Sequence, residues 1–323
     1  MKYTFESTLG QYIAGLIQQK HADGFGYTND EYHLKKLDEF CVEFFPSEAT
    51  VTRDIAAKWS LIKPTEGESY RNRRVSALRQ LSLYILSLGR EAYMPRNNGG
   101  SPKPVLYIPS REEMSDFFTV VDSWVCRNYC GLRTAAEYKI LFRLYYCCGL
   151  RLSEARLLKK SDIDFENGVL TIFKSKGQKD RLVWLPPDGR QMLLDYLLNI
   201  EQTASESPWL FPGQCMDKPL SAAAIQRRFK DCWNTLGFVT NTGKHPTPHC
   251  LRHAFVVERM NEWMLQGLDL HEMLPYLSKH LGHKSPSETF YYYHLVNKAF
   301  AVIRDKDTVS GRVIPEVFNY GEI

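Results

Sequence analysis

The sequence predicts a mainly α-helical protein with one small antiparallel β-sheet, an α+β chain folded as two domains. Three observations predict it. Apolar residues recur mostly at three- and four-residue steps, two short runs rich in β-branched and aromatic residues flank a polar, Gly-containing turn, and 323 residues exceed one ordinary domain.

Residues 3–94 read as helical throughout, with "TLGQYIAGLIQQ", "NDEYHLKKLDEFCVEFF", a short segment around Trp59 and "RNRRVSALRQLSLYILSLG" as the periodic stretches. In the last, Val75, Leu78, Leu81, Ile85 and Leu88 form an apolar stripe, and Gly89 stands where a helix would stop. Arg71, Arg73, Arg74 and Arg79 give this domain, residues 1–94, a basic edge. Residues 95–109, "PRNNGGSPKPVLYIP", hold four prolines and two glycines without periodicity, the composition of an extended linker. The second domain, residues 110–323, opens on a capping box in which Ser110 is followed three residues on by Glu113. Its β element is "GVLTIF" and "RLVWLP" joined by "KSKGQKD". Further on, "SAAAIQRRFKDCWNTLG" places Ile225, Phe229 and Trp233 on one stripe, with Gln226, Arg227 and Lys230 off it and Arg228 in the same basic cluster. A basic face opposite an apolar one suits a helix laid against a DNA groove, although such clusters taken alone are more often solvated helix faces.

Composition narrows the class. No apolar run approaches the roughly 20 residues of a membrane span, and the N-terminus lacks the order of a signal peptide, so a soluble, cytoplasmic protein with no membrane association is expected. Eight cysteines are too sparse for a disulfide framework, and reduced core thiols are expected. A net charge of +4 permits a polyanionic partner without demanding one.

Four local sequences carry residues that do chemistry: "GLRLSEA" (149–155), "KSKGQKDR" (174–181), "HCLRH" (249–253) and "LGHKSPSETFYYYH" (281–294). Two guanidinium groups with further donors can cradle the oxygens of a phosphate. A tyrosine hydroxyl beside that phosphate can attack phosphorus covalently, and a lysine on a hairpin can protonate the departing oxygen. Phosphoryl transfer asks mainly for positioning and charge stabilisation, so no cofactor is expected. His249 and His253, four apart on a helix, also have a metal-pair spacing, but no third ligand is well placed and Arg252 between them repels a cation; no metal is expected.

These motifs, in this order and spacing, resemble the tyrosine recombinase (phage integrase) family over roughly residues 105–296. The resemblance implies a two-domain clamp on double-stranded DNA, with a helical core-binding domain and an integrase-type catalytic domain. It implies catalytic roles for Arg151, Lys176, His249, Arg252, His283 and Tyr292, the last lying nine positions beyond His283. Glu154, orienting an arginine, and His253, buttressing the fold, are expected behind them. His249 is expected to donate to the phosphate and shuttle a proton, and His283 to donate a further hydrogen bond. Lys174 and Lys179 compete with Lys176 on the same hairpin.

"SPSE" after Leu-Gly-His reads as a capping box with Ser285 as cap and Pro286 as the first helical residue. On a helix turning about 100° per residue only one of Tyr291, Tyr292 and Tyr293 can face a given phosphate. Ser153 is the expected cap of the helix after Arg151. The expected activity is site-specific strand exchange through a 3′-phosphotyrosyl link, integrating or moving a mobile element. The expected assembly is four protomers on two DNA sites and a monomer when free. The resemblance implies that the segment after Tyr292, with Val313, Ile314, Val317 and Phe318, tethers a neighbouring subunit; folding back on its own domain is the alternative. Three other readings share features: a type IB topoisomerase, a catalytically silent DNA-binding regulator and a His-dependent metallonuclease.

Overall fold

The computed structural model describes residues 3–96, 106–125, 129–175, 179–204, 206–213, 215–238 and 245–295. The chain divides into two units, Met1–Pro104 and Val105–Ile323.

In the first unit α1 (Gly10–Ala22), α2 (Thr28–Phe44), α3 (Arg53–Ser60) and α4 (Glu68–Ser87) pack around one core. Ile13, Leu16 and Ile17 meet Leu34, Leu37, Ile55, Trp59, Leu78, Leu81 and Ile85 there, each helix contributing the apolar stripe that its period creates. Leu88, expected on the α4 stripe, is instead exposed. The helix ends at Ser87, and Gly89, at φ +73°, turns the chain away from the core.

The basic edge of this unit is smaller than its sequence implies. Arg74 is buried to 2% exposure, its guanidinium packed 4.9 Å from the Trp59 ring centroid and donating to Glu66 and to the Leu61 carbonyl. It is a structural arginine, not a phosphate contact. Arg71 is half-buried and donates to Asn72, Arg79 is half-buried and donates to the Pro95 carbonyl, and Arg73 is exposed. Truncating Arg74 leaves the Glu66 carboxylate buried without its guanidinium; Arg74→Ala is expected to cost this unit roughly 3–5 kcal/mol, read as an earlier transition in urea denaturation of the full chain.

The chain just before the sequence-assigned linker and the linker's own far end attach to the units they adjoin. Tyr93 N–H donates to Val51 O at 2.7 Å, Tyr107 Oη donates to Glu113 at 2.5 Å, and Leu106 and Ile108 pack on the second unit. Residues 97–105 lie outside the described residues.

The second unit begins with α5 (Arg111–Ser123), whose capping box is present: Glu113 N–H donates to Ser110 Oγ and Ser110 N–H to Glu113 Oε2. Next come α6 (Tyr129–Cys148), α7 (Leu152–Arg156), β1 (Ile163–Asp164), β2 (Val169–Ser175) and β3 (Lys179–Trp184). The remaining helices are α8 (Pro187–Ala204), α9 (Ala222–Thr235), α10 (His249–Leu265), α11 (Leu270–Leu281) and the single turn α12 (Ser287–Phe290). The three strands are antiparallel in the order β1-β2-β3. Leu170 and Ile172 face Val183 and Arg181 across the register, so one sheet face is buried while Leu182 and Trp184 project outward.

One core joins α5, α6, α8, α9 and the sheet. A second, smaller core is built from Phe255, Val256 and Met260 of α10, Leu270, Leu274, Leu277 and Leu281 of α11, and Tyr292. This smaller core brings the "HCLRH" and "LGH…YYY" segments together. Among the described residues, no helix is long and apolar enough to cross a membrane.

Candidate functional site

Two glycines shape the floor of the site. Gly149 follows α6 at φ +61°, and a Cβ there would meet the Phe255 ring at 2.5 Å; Gly282 follows α11 at φ +64°, and a Cβ there would meet the Arg181 side chain at 3.0 Å. Only glycine adopts both turns without strain or collision. The two turns are stitched together by arginines. Arg252 Nη1 donates to the Gly149 carbonyl at 2.6 Å, and Arg151 Nη2 donates to the Gly282 carbonyl at 3.0 Å.

Arg151 precedes the short helix α7 and serves as its cap residue in place of Ser153. Its backbone N–H donates to Glu154 Oε2 at 2.7 Å and its Nη1 to Oε1 at 2.8 Å. Arg181 of β3 closes the cage, donating to Oε1 and Oε2 at 2.8 Å each. Arg252 approaches the same carboxylate at 3.9 Å. Three guanidinium groups thus surround one buried carboxylate. Burial alone would raise the Glu154 pKa, but the hydrogen bonds and charge of Arg181 and Arg151 hold it far below the usual carboxylate range.

Arg252 is 2% exposed, and burial together with the charge of Arg151 lowers its pKa to about 9, which leaves it charged at neutral pH. It donates to the Leu281 carbonyl at 2.8 Å and lies 3.2 Å from His283 Nε2. A guanidinium can only donate, so Nε2 accepts, and the proton of His283 sits on Nδ1, directed at Thr289 Oγ1 2.8 Å away. Both nitrogens of His283 are therefore engaged inside the protein. The hydrogen bond expected of His283 toward a phosphate would take the place of one of these two.

The capping box expected at Ser285 does not form. Ser285 Oγ hydrogen-bonds Ser287 Oγ, Pro286 is the cap in helical conformation, and α12 lasts one turn. The three tyrosines nevertheless diverge: Tyr292 is 6% exposed, Tyr291 half-buried and Tyr293 exposed. The Tyr292 hydroxyl lies 2.7 Å from His253 Nδ1, so the residue expected merely to buttress the fold is the one that touches this phenol. Burial raises the phenol's pKa while Arg252 opposes the rise, and burial pushes His253 down to about 3; at neutral pH both groups are uncharged. His249 is exposed at the first turn of α10, its ring 4.5 Å from that of His253.

His253 and His283 have folded pKa values of about 3 and about 4, below the roughly 6.5 of a free histidine, so the unfolded chain binds more protons between those limits. Stability from these sites is complete above pH 6.5 and falls as pH drops toward 4, by up to about 1.4 kcal/mol per pH unit for each group. Denaturation midpoints measured from pH 7 to pH 4 check this, and His253→Asn should flatten the slope.

The geometry has counterparts in known proteins. The phage integrase family pattern matches residues 125–299. A putative integrase/recombinase of Sinorhizobium fredii, y4rB, is 30% identical over 88% of this chain and 92% of its own. The tyrosine recombinase XerC of Pseudomonas aeruginosa is 30% identical over 75% of this chain and 74% of its own. The chain belongs to the phage integrase family. As a member, this integrase is a tyrosine recombinase, an enzyme that acts on DNA. Its fold is shared with the XerH site-specific recombinase bound to palindromic difH substrate in a post-cleavage complex, at TM-score 0.64 and 21% identity over 87% of this chain and 80% of that one.

The integrase's other sequence-assigned residues divide. Gln226, Arg227 and Lys230 are exposed on α9, opposite buried Ile225, Phe229 and Trp233. Arg228 is half-buried, its guanidinium 3.7 Å from the Trp124 ring centroid, so packing engages it. Lys176 lies outside the described residues. So does the segment with Val313, Ile314, Val317 and Phe318. Among the described residues no three His, Cys, Asp or Glu side chains could together hold a metal ion. Arg181 was missed by sequence reasoning, although a signal existed. In "RLVWL" it shares the inward register with Val183 and Leu185, and a charge on a buried strand face demands a partner.

Proposed function

We propose that this integrase exchanges DNA strands at a specific site, with Tyr292 as nucleophile, in the service of a mobile element. The observation that carries the reading is that Arg151 and Arg252 bond a pair of glycine turns, His283 contacts Arg252, and the Tyr292 hydroxyl meets His253 on the same helix as Arg252, so that residues of three separate sequence motifs come together. The Tyr292 oxygen attacks phosphorus as the bond to the 5′ oxygen breaks, leaving a 3′-phosphotyrosyl link and a 5′-hydroxyl. Lys176 delivers the proton to that oxygen. The phenol's own proton leaves toward solvent past exposed His249, while the neutral ring of His253 holds the hydroxyl in place and the charge of Arg252 and Arg151 favours the phenolate. The 5′-hydroxyl of a partner duplex then reverses the step. Arg151 and Arg252 stabilise the charge gathering on the phosphate oxygens, His283 exchanging its bond to Arg252 for the phosphate, and His249 supplies a donor from the N-terminus of α10.

Four strands are cut, so four protomers act on two DNA sites, with Arg73, Gln226, Arg227 and Lys230 contacting phosphates or groove edges. The residues beyond 295 link neighbouring protomers. The test is incubation of the protein with two labelled duplexes bearing the element's end. Recombinant joints are expected; plasmid relaxation without joints would point to a topoisomerase, and binding without cleavage to a regulator.

A further inference from the structure

Arg181 is absent from the reaction scheme above, yet it holds the site's buried carboxylate with both of its terminal nitrogens. Its Nη1 and Nη2 grip both oxygens of Glu154 at 2.8 Å, and its Nε donates to the His280 carbonyl at 2.7 Å. Its side chain is only 7% exposed. It runs under Gly282, where a Cβ would come within 3.0 Å of it, so the turn that presents His283 lies directly against this arginine. Gly282 in turn accepts from Arg151.

We propose that Arg181 is a positioning residue that sets the charge of the phosphate pocket by neutralising Glu154; the inference rests on the strand-exchange reading. Glu154 is needed to fix Arg151 and to cap α7, but its charge opposes the work of Arg151 and Arg252. With Arg181 present, three guanidinium charges less one carboxylate leave two positive charges. A phosphodiester carries one negative charge and the five-coordinate phosphorus formed by phenolate attack carries two, so the cluster matches the transition state better than the ground state. Only such differential stabilisation speeds the step. Without Arg181 the cluster keeps one positive charge, and the freed lone pairs of Glu154 compete with the phosphate for Arg151. Arg181 also sits two residues beyond the start of β3, so this strand is anchored to the same carboxylate.

The test compares single-turnover cleavage of a nicked duplex carrying the natural scissile phosphate with cleavage of the same duplex carrying a methylphosphonate there, which removes one negative charge. For Arg181→Gln we expect a loss on the order of 100-fold on the phosphate duplex, the scale of one lost preorganised donor, and a loss under about fivefold on the methylphosphonate. The double variant Glu154→Gln/Arg181→Gln restores two positive charges and leaves no buried carboxylate unpaired. It is expected to cleave the phosphate duplex at least about tenfold faster than Arg181→Gln, and it reports on the charge balance even where the single variant folds poorly. Equal losses on both duplexes, or a double variant no faster than the single one, would overturn the proposal in favour of a purely structural arginine. So would an Arg181→Gln protein that cleaves phosphate at the native rate. Native protein that forms no adduct on a verified site would instead remove the strand-exchange reading itself, and this inference with it.

Discussion

Tyr292→Phe is expected to abolish the covalent adduct while leaving the fold and DNA binding in place. The ring belongs to the smaller core, with Phe255, Val256 and Leu281, and phenylalanine preserves that packing. What disappears is the hydroxyl 2.7 Å from His253. Losing it leaves a buried ring nitrogen without its partner, at a cost of about 1–3 kcal/mol. The chemical loss is far larger: removing an enzyme's nucleophile costs on the order of 10⁶ in rate, so single-turnover cleavage should fall at least about 10⁴-fold. Neighbouring tyrosines do not substitute. Tyr291 and Tyr293 leave the chain in other directions, one half-buried and the other exposed, so Tyr291→Phe and Tyr293→Phe should cleave near the native rate.

The second large effect is expected at Arg252, where catalysis and stability coincide. Its guanidinium satisfies the carbonyls of Gly149 and Leu281 and the Nε2 of His283 while fully buried. Arg252→Ala strands those acceptors and removes the cation facing Glu154. We expect the second unit to lose roughly 3–5 kcal/mol and the cleavage rate to fall about 10²–10³-fold even where the variant remains folded. Arg252→Lys separates the two contributions. It keeps the charge, so much of the stability should survive, but a single ammonium cannot serve both glycine turns and a phosphate, and cleavage should stay depressed. Thermal melting beside single-turnover cleavage of the same preparations makes the comparison.

Much of this was legible in the sequence because it depends on local rules. Ser110 and Glu113 form their capping box, and Ile225, Phe229 and Trp233 are buried as their spacing requires. The glycines of "GLR" and "LGH" take left-handed turns at helix ends, where glycine is favoured. What escaped depends on partners far along the chain. Arg74 reads as one of a basic cluster because its partners Glu66 and Leu61 lie in the loop before α4, off the helical period. His249 and His253 share a helix, and spacing alone does not tell which meets the Tyr292 hydroxyl; the packing of α10 against α11 and the turn after α12 decides it. Ser285 failed as a cap because its hydroxyl found Ser287 and the helix runs for one turn only. Arg181 announced itself only by an inward register on β3, a weaker signal than a named motif.

The central claim is that a single phenol, the middle one of three, is presented to a phosphate held by Arg151 and Arg252. The direct measurement is mass-spectrometric peptide mapping of the adduct trapped on a nicked suicide duplex carrying the natural site. The account predicts a nucleotide remnant on Tyr292 alone. A remnant on Tyr291 or Tyr293, or hydrolysed DNA ends with no protein attached, would contradict it.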